Sequence, residues 1–144
     1  MLKLMQILIT CGLMGIVGEG YTSPVGVWTT IDENTGEKRA DVRFELVGTE
    51  LVGTIERPYS KPDDVRFCKA CPGQFKNKPI QGLQFIWGLK EDKTGAWVDG
   101  RILDPQSGRI YRLKLVEKGN RLHVRGYFAH PLIGRTQVWV PANG

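Results

Sequence analysis

The chain has 144 residues, 41% of them hydrophobic, and a formal net charge of +5. That length suits one domain with a core of its own. Its cations are scattered, mostly alternating with apolar neighbours, at Arg39, Arg43, Arg57, Arg101, Arg109, Arg112, Arg121, Arg125 and Arg135. A nucleic-acid footprint concentrates basic residues on one stripe, so no nucleic-acid partner is expected.

Residues 1–20 read as a secretory signal. Lys3 supplies the positive start, and Leu4 to Val17 is uncharged and apolar apart from Gln6, Thr10 and two glycines. Gly18 and Gly20 place small residues at −3 and −1 for cleavage before Tyr21. The apolar run is shorter than the roughly 20 residues that span a bilayer, so no stable membrane anchor is expected. Leu8-Ile9-Thr10-Cys11 only partly resembles a lipobox and follows too few residues. Cleavage leaves residues 21–144 as the domain, bound for the periplasm or the medium, with two cysteines. A disulfide is the default for such a pair in an exported chain.

From residue 24 onward the pattern is period two, broken by turn residues. Val27, Thr29 and Ile31 form the first alternation, ended by Asp32-Glu33-Asn34-Thr35-Gly36. Val42, Phe44 and Leu46 alternate with Arg43 and Glu45 up to Gly48, and Leu51 to Glu56 is the third run. Leu83, Phe85, Trp87 and Leu89 are expected to share one face of the fourth. Glu91 to Gly95 turns the chain into Trp97–Leu103, and Asp104-Pro105-Gln106-Ser107-Gly108 turns it again. Tyr111, Leu113 and Leu115 follow, then Leu122, Val124 and Phe128, and Thr136 to Val140 closes the chain.

Eight short strands joined mostly by short turns predict an all-β protein, a single up-and-down antiparallel barrel. Closure also removes the sheet edges that would expose unpaired backbone. A two-sheet sandwich is the alternative. The one long connection, Pro58 to Gln81, carries Pro58, Pro62, Pro72, Pro79 and both cysteines of the domain.

Cys68-Lys69-Ala70-Cys71 has a spacing that several chemistries use. A short structural disulfide would pin this Pro-rich excursion. A thiol oxidoreductase needs a helix start within a βαβ pattern, which is missing. A zinc site needs two more ligands, and His123 and His130 lie far off with irregular spacing, so no metal is expected. Haem attachment needs His where Pro72 stands.

Gly26-Val27-Trp28 on the first strand and Gly134-Arg135-Thr136-Gln137-Val138-Trp139 on the last resemble the lipocalins and their calycin relatives. The resemblance implies that Trp28 and Arg135 close one end of the barrel, guanidinium over indole, with Gly26 permitting close approach and Arg125 as the other candidate partner. More of the chain, from about Pro24 to Pro141, resembles a family of bacterial exported proteins that is a domain of unknown function with a lipocalin-like fold. The resembling blocks are Gly26-Val27-Trp28, Thr35-Gly36, Cys68-Lys69-Ala70-Cys71, Pro79 to Leu83, Asp104 to Gly108, Tyr111, Val124-Arg125-Gly126-Tyr127 and Gly134 to Trp139. The family implies the fold and export, and no activity.

A barrel of this size holds side chains or one small molecule. Alternation points Phe44, Ile55, Phe85, Trp87, Ile102, Tyr111, Leu113, Val124 and Phe128 inward, with Gly53, Gly100 and Gly126 either leaving room or marking bends. The function expected is non-catalytic binding of a small apolar molecule without a cofactor. One alternative is a protein-interaction module that uses the Pro58–Gln81 loop, with Phe67 and Phe75 as exposed anchors, although no protein partner is named by the sequence. A hydrolase is the weaker alternative, with Glu45, Glu56, Asp99, Asp104, His123 and His130 as its titratable candidates.

Overall fold

A computed structural model describes residues 23–59, 66–130 and 132–143. The expected signal segment lies outside the described residues. Eight antiparallel strands run in chain order: β1 (Gly26–Ile31), β2 (Lys38–Val47), β3 (Glu50–Pro58), β4 (Gln84–Glu91), β5 (Trp97–Leu103), β6 (Ile110–Lys118), β7 (Arg121–Tyr127) and β8 (Gly134–Pro141). Each pairs with the next, and β8 returns to β1 through Trp28–Pro141 and Thr29–Val140, so the sheet closes on itself. Closure leaves no sandwich and no free edge.

The turns form because an aspartate side chain can stand in for a backbone acceptor. Asp32 Oδ1 accepts the N–H groups of Asn34 and Thr35 at 2.8 and 3.0 Å. Asp104 repeats the device, taking the Gln106 N–H at 3.0 Å and the Ser107 hydroxyl at 2.8 Å. In both turns a glycine with positive φ, Gly36 or Gly108, donates its N–H to the aspartate carbonyl at 2.8 Å. Asp92 holds the β4–β5 turn in the same way, through Thr94 and Ala96.

Strand β4 departs from simple alternation. Against β3 it pairs Gln84 with Thr54, Ile86 with Gly53 and Leu89 with Leu51, so it carries one extra residue in each interval. Two bulges follow, the second at Gly88, whose φ is +78° and whose N–H is caught by Glu50 Oε1 at 2.5 Å. As a result Phe85, Ile86 and Leu89 are all buried, while Trp87 takes the opposite face. The expectation that Leu83, Phe85, Trp87 and Leu89 share one face fails for Trp87.

The long connection folds onto the barrel as a small unit. Phe67 bridges Pro79, the Cys68 N–H reaches the Lys78 carbonyl at 2.8 Å, and a 3₁₀ turn spans Gly73–Phe75. Cys68 and Cys71 form a disulfide with Cα atoms 5.3 Å apart, and both are buried. This unit lies against the β5–β6 turn so tightly that a Cβ on Gly108 would sit 1.8 Å from the Ala70 carbonyl oxygen. Gly108 is therefore required twice, by its positive φ and by this contact.

Candidate functional site

The barrel interior is divided. Towards the β2–β3 turn it is solid, filled by Phe44, Leu51, Leu89, Trp97, Leu115 and Leu122, each almost wholly buried. The Phe44 ring packs on Trp139 with centroids 6.1 Å apart. Above this floor the interior opens into a cup that continues past the strands to the turns at the mouth, about 910 Å³ in all, within the range of small-molecule sites. Its apolar wall comes from Val42, Ile55, Phe85, Leu113, Val124 and Trp139, with Ile102 and Tyr111 nearer the lip.

The strand register explains why these residues meet. Leu113 stands opposite Gly126, Val124 opposite Gln137, and Val42 opposite Ile55, so the members of each pair lie on the same face of the sheet. The three inward glycines do different things. Gly53 and Gly100 sit under other side chains: a Cβ would lie 3.0 Å from Ile86 Cβ at the first and 2.5 Å from Leu89 Cγ at the second. Those glycines admit bulky neighbours, and their space is used. At Gly126 the nearest atom to a Cβ is 3.8 Å away, and the room left there belongs to the cavity.

The mouth is polar. Asp32, Glu33, Arg39, Asp104, Gln137 and Arg135 line it, and the loop contributes Ile80. Gln137 Oε1 accepts the Trp139 Nε1–H at 3.2 Å, which leaves the Gln137 amide N–H groups without a partner among the described residues. Tyr59, also at the mouth, donates its hydroxyl to Asp41 at 2.9 Å, and that bond holds its phenol above the ordinary tyrosine range.

Six of the residues expected to face a ligand line this cavity: Ile55, Phe85, Ile102, Tyr111, Leu113 and Val124. Three do not. Phe44 belongs to the solid floor, fully buried beneath Trp139. Trp87 lies on the outer wall, stacked on Phe75 at 5.5 Å, because the β4 bulges turn it round. Phe128 lies beyond the end of β7, 47% exposed, where its ring covers Tyr111 at 4.5 Å. Val42 and Trp139 were missed as wall residues. Val42 shares the alternation that picked out Phe44, whereas Trp139 lies between two valines, where period two is silent.

The expected closing pair is also corrected. Trp28 is buried at the solid end, where its Nε1–H donates to the Pro24 carbonyl at 2.9 Å. Arg135 sits six residues before the Pro141 that pairs with Trp28, which places it at the opposite, open end. There it binds Glu33, with Nε 2.9 Å from Oε2 and Nη2 on the same oxygen. Arg125 donates to Thr136 Oγ1 at 2.9 Å on the outer wall. Gly26, with φ +128°, has nothing within 4 Å of a built Cβ, so its backbone conformation calls for glycine and a close approach does not.

Of the titratable candidates only Asp104 lines the cavity, and its carboxylate is committed to its own turn. Glu56 pairs with Arg43 at 2.9 Å, His123 stands opposite Val138 on the outer wall, and His130 Nδ1 accepts the Leu132 N–H. Among the described residues no group of three His, Cys, Asp or Glu side chains could hold a metal ion. Phe75, expected as an exposed anchor of the loop, is covered by Trp87; Phe67 is exposed.

A closed eight-stranded up-and-down barrel, solid at one end and open at the other, defines a lipocalin-like protein. A solved structure agrees: Protein HP1028 from Helicobacter pylori, described as belonging to the lipocalin family, matches with a TM-score of 0.72 over 83% of this chain and 82% of that one, at 15% identity. A comparison with curated proteins gives no match. Residues 26–140 match the DUF2147 family, described as "Uncharacterized protein conserved in bacteria", and the chain belongs to that family.

Proposed function

We propose that this protein is an exported, non-catalytic carrier that holds one small apolar molecule in the upper half of its barrel. The observation that carries the reading is the division of the interior. The solid floor limits how deep a guest could reach, the wall just above it is aliphatic and aromatic, and polar side chains gather at the mouth. Burying an apolar guest there is favourable by roughly 25 cal/mol per Å² of surface removed from water. Gln137 and Tyr111 offer hydrogen-bonding atoms near the lip, which suits a guest with an apolar body and one polar end. Export is supported by the signal-like residues 1–20 and by the buried Cys68–Cys71 disulfide.

Trp139 makes the proposal testable without knowing the natural guest, because it is the tryptophan on the cavity wall. Titration with a series of long-chain fatty acids and retinol should quench tryptophan emission saturably, and Trp139→Phe should remove most of that quenching while Trp87→Phe leaves it. Emission that ignores the whole series, or quenching that survives Trp139→Phe, would refute occupancy of the cup.

A further inference from the structure

The lip of the barrel carries an apolar tip that nothing in the fold covers. In the β7–β8 connection Leu132 is 83% and Ile133 68% exposed, and the half-exposed Phe128 stands beside them. This exposure is built into the loop. The Phe128 N–H binds the Ile133 carbonyl at 3.3 Å, the Ile133 N–H the His130 carbonyl at 2.9 Å, and the Leu132 N–H His130 Nδ1 at 3.1 Å. Clusters of large exposed apolar side chains on a soluble surface mark contact sites.

Charge beside the tip is unbalanced. Tyr127, which precedes Phe128, stands opposite Arg112, and Arg112 stands opposite Arg101. Two arginines directly across a ladder repel each other, and among the described residues neither makes an ion pair. Arg109 is exposed at the β5–β6 turn on the same side. On the β1–β2 side of the same mouth Arg39 is paired with Asp32 and Arg135 with Glu33, although Lys38 there has no ion pair among the described residues. Arg101, Arg112 and Arg109, without an ion pair among the described residues, therefore flank the apolar tip on its β5–β6 side.

We infer that this lip docks on an anionic phospholipid bilayer. Leu132, Ile133 and Phe128 enter the interface, and Arg101, Arg112 and Arg109 meet the headgroup phosphates. A protein groove is a poorer match, since the tip is convex and its flank is cationic. Docking in this sense turns the mouth towards the membrane, and Phe128 on Tyr111 continues the apolar surface from the tip to the cavity wall. Docking of this lip does not require an occupied cup.

The test is vesicle flotation of the protein in the form in which the bacterium leaves it, at low salt. Vesicles are phosphatidylcholine alone or phosphatidylcholine with about a third phosphatidylglycerol. The wild type should float with the anionic vesicles at least about tenfold more than with the neutral ones, and salt should release it. Leu132→Ser/Ile133→Ser should lower binding by at least about tenfold. Arg101→Gln/Arg112→Gln should lower it about fivefold per charge and flatten the salt dependence. Thermal melts and fatty-acid quenching, measured without vesicles, should match the wild type for the apolar variant and separate this inference from the proposed function. Failure of the wild type to float, or equal flotation of wild type and variants, would overturn it. So would a dimer seen in sedimentation velocity that Leu132→Ser/Ile133→Ser dissolves without any change in flotation, because the tip's partner would then be a second copy.

Discussion

Arg135 and Glu33, 102 residues apart, are joined across the mouth of the barrel, with the guanidinium Nε and Nη2 both on one carboxylate oxygen. The contact links β8 to the β1–β2 turn on the side where those two strands close the sheet. The Arg135 side chain is 68% exposed, so its pairing is a surface event worth about 0–1 kcal/mol.

Arg135→Ala should therefore change the unfolding free energy by less than about 1 kcal/mol and leave the rest of the barrel undisturbed. Trp28→Phe keeps the buried ring but loses the hydrogen bond to Pro24, and should cost about 1 kcal/mol or somewhat more. Urea unfolding of both variants checks this. A large loss at Arg135 would mean that the guanidinium closes the barrel after all.

The glycines separate filled from empty space. Gly100→Ala forces a methyl group to within 2.5 Å of the Leu89 side chain and should destabilise by about 1–3 kcal/mol. Gly126→Ala meets nothing closer than 3.8 Å and should be neutral or stabilising by up to about 1 kcal/mol. Chemical denaturation of the two variants side by side measures the difference.

Much of the fold is legible in the residues, because half-buried strands and short turns both write their geometry into composition. Asp32, Asp92 and Asp104 each mark a turn by the same side-chain mimicry of a backbone acceptor. The site is less legible. Alternation assumes an unbroken register, and the two β4 bulges break it at the stretch that contains Trp87. Periodicity also tells inward from outward but not floor from cavity, so Phe44 and Ile55 look alike although only Ile55 reaches open space. The Trp28–Arg135 resemblance names residue types and strands, whereas end-to-end position along β8 decides whether the two can touch.

The aspartate turns make stability depend on acid. The Asp92 carboxyl is held below the ordinary carboxylate range, first by the Thr94 hydroxyl at 2.6 Å and then by the Thr94 and Ala96 N–H groups and the charge of Lys114, with desolvation acting the other way. Asp32 is lowered similarly, first by the Asn34 and Thr35 N–H groups. A depressed folded value means that the contribution is complete above the ordinary carboxylate range and is lost as pH falls through the folded value. Asp92→Ala should lower Tm at neutral pH, and the gap should close on acidification. A gap independent of pH would contradict the assignment.

Reduction should loosen the loop and leave the barrel standing. The disulfide closes a ring of only four residues, so loop-closure entropy limits its contribution to about 2 kcal/mol. Urea unfolding with dithiothreitol should show a loss no larger than that. Hydrogen exchange should rise at the Cys68, Asn77 and Lys78 amides, whose bonds hold the loop together, before it rises in β6 or β7.

The central claim is that the space above Trp139 is a cup in use. Native mass spectrometry of protein purified from its own host, beside Gly126→Leu, tests it most directly, because a leucine there fills the cup from one wall. The wild type should retain an apolar mass that organic solvent removes, and Gly126→Leu should fly bare. A wild type that is bare in every preparation, or an adduct that persists in Gly126→Leu, would contradict the account.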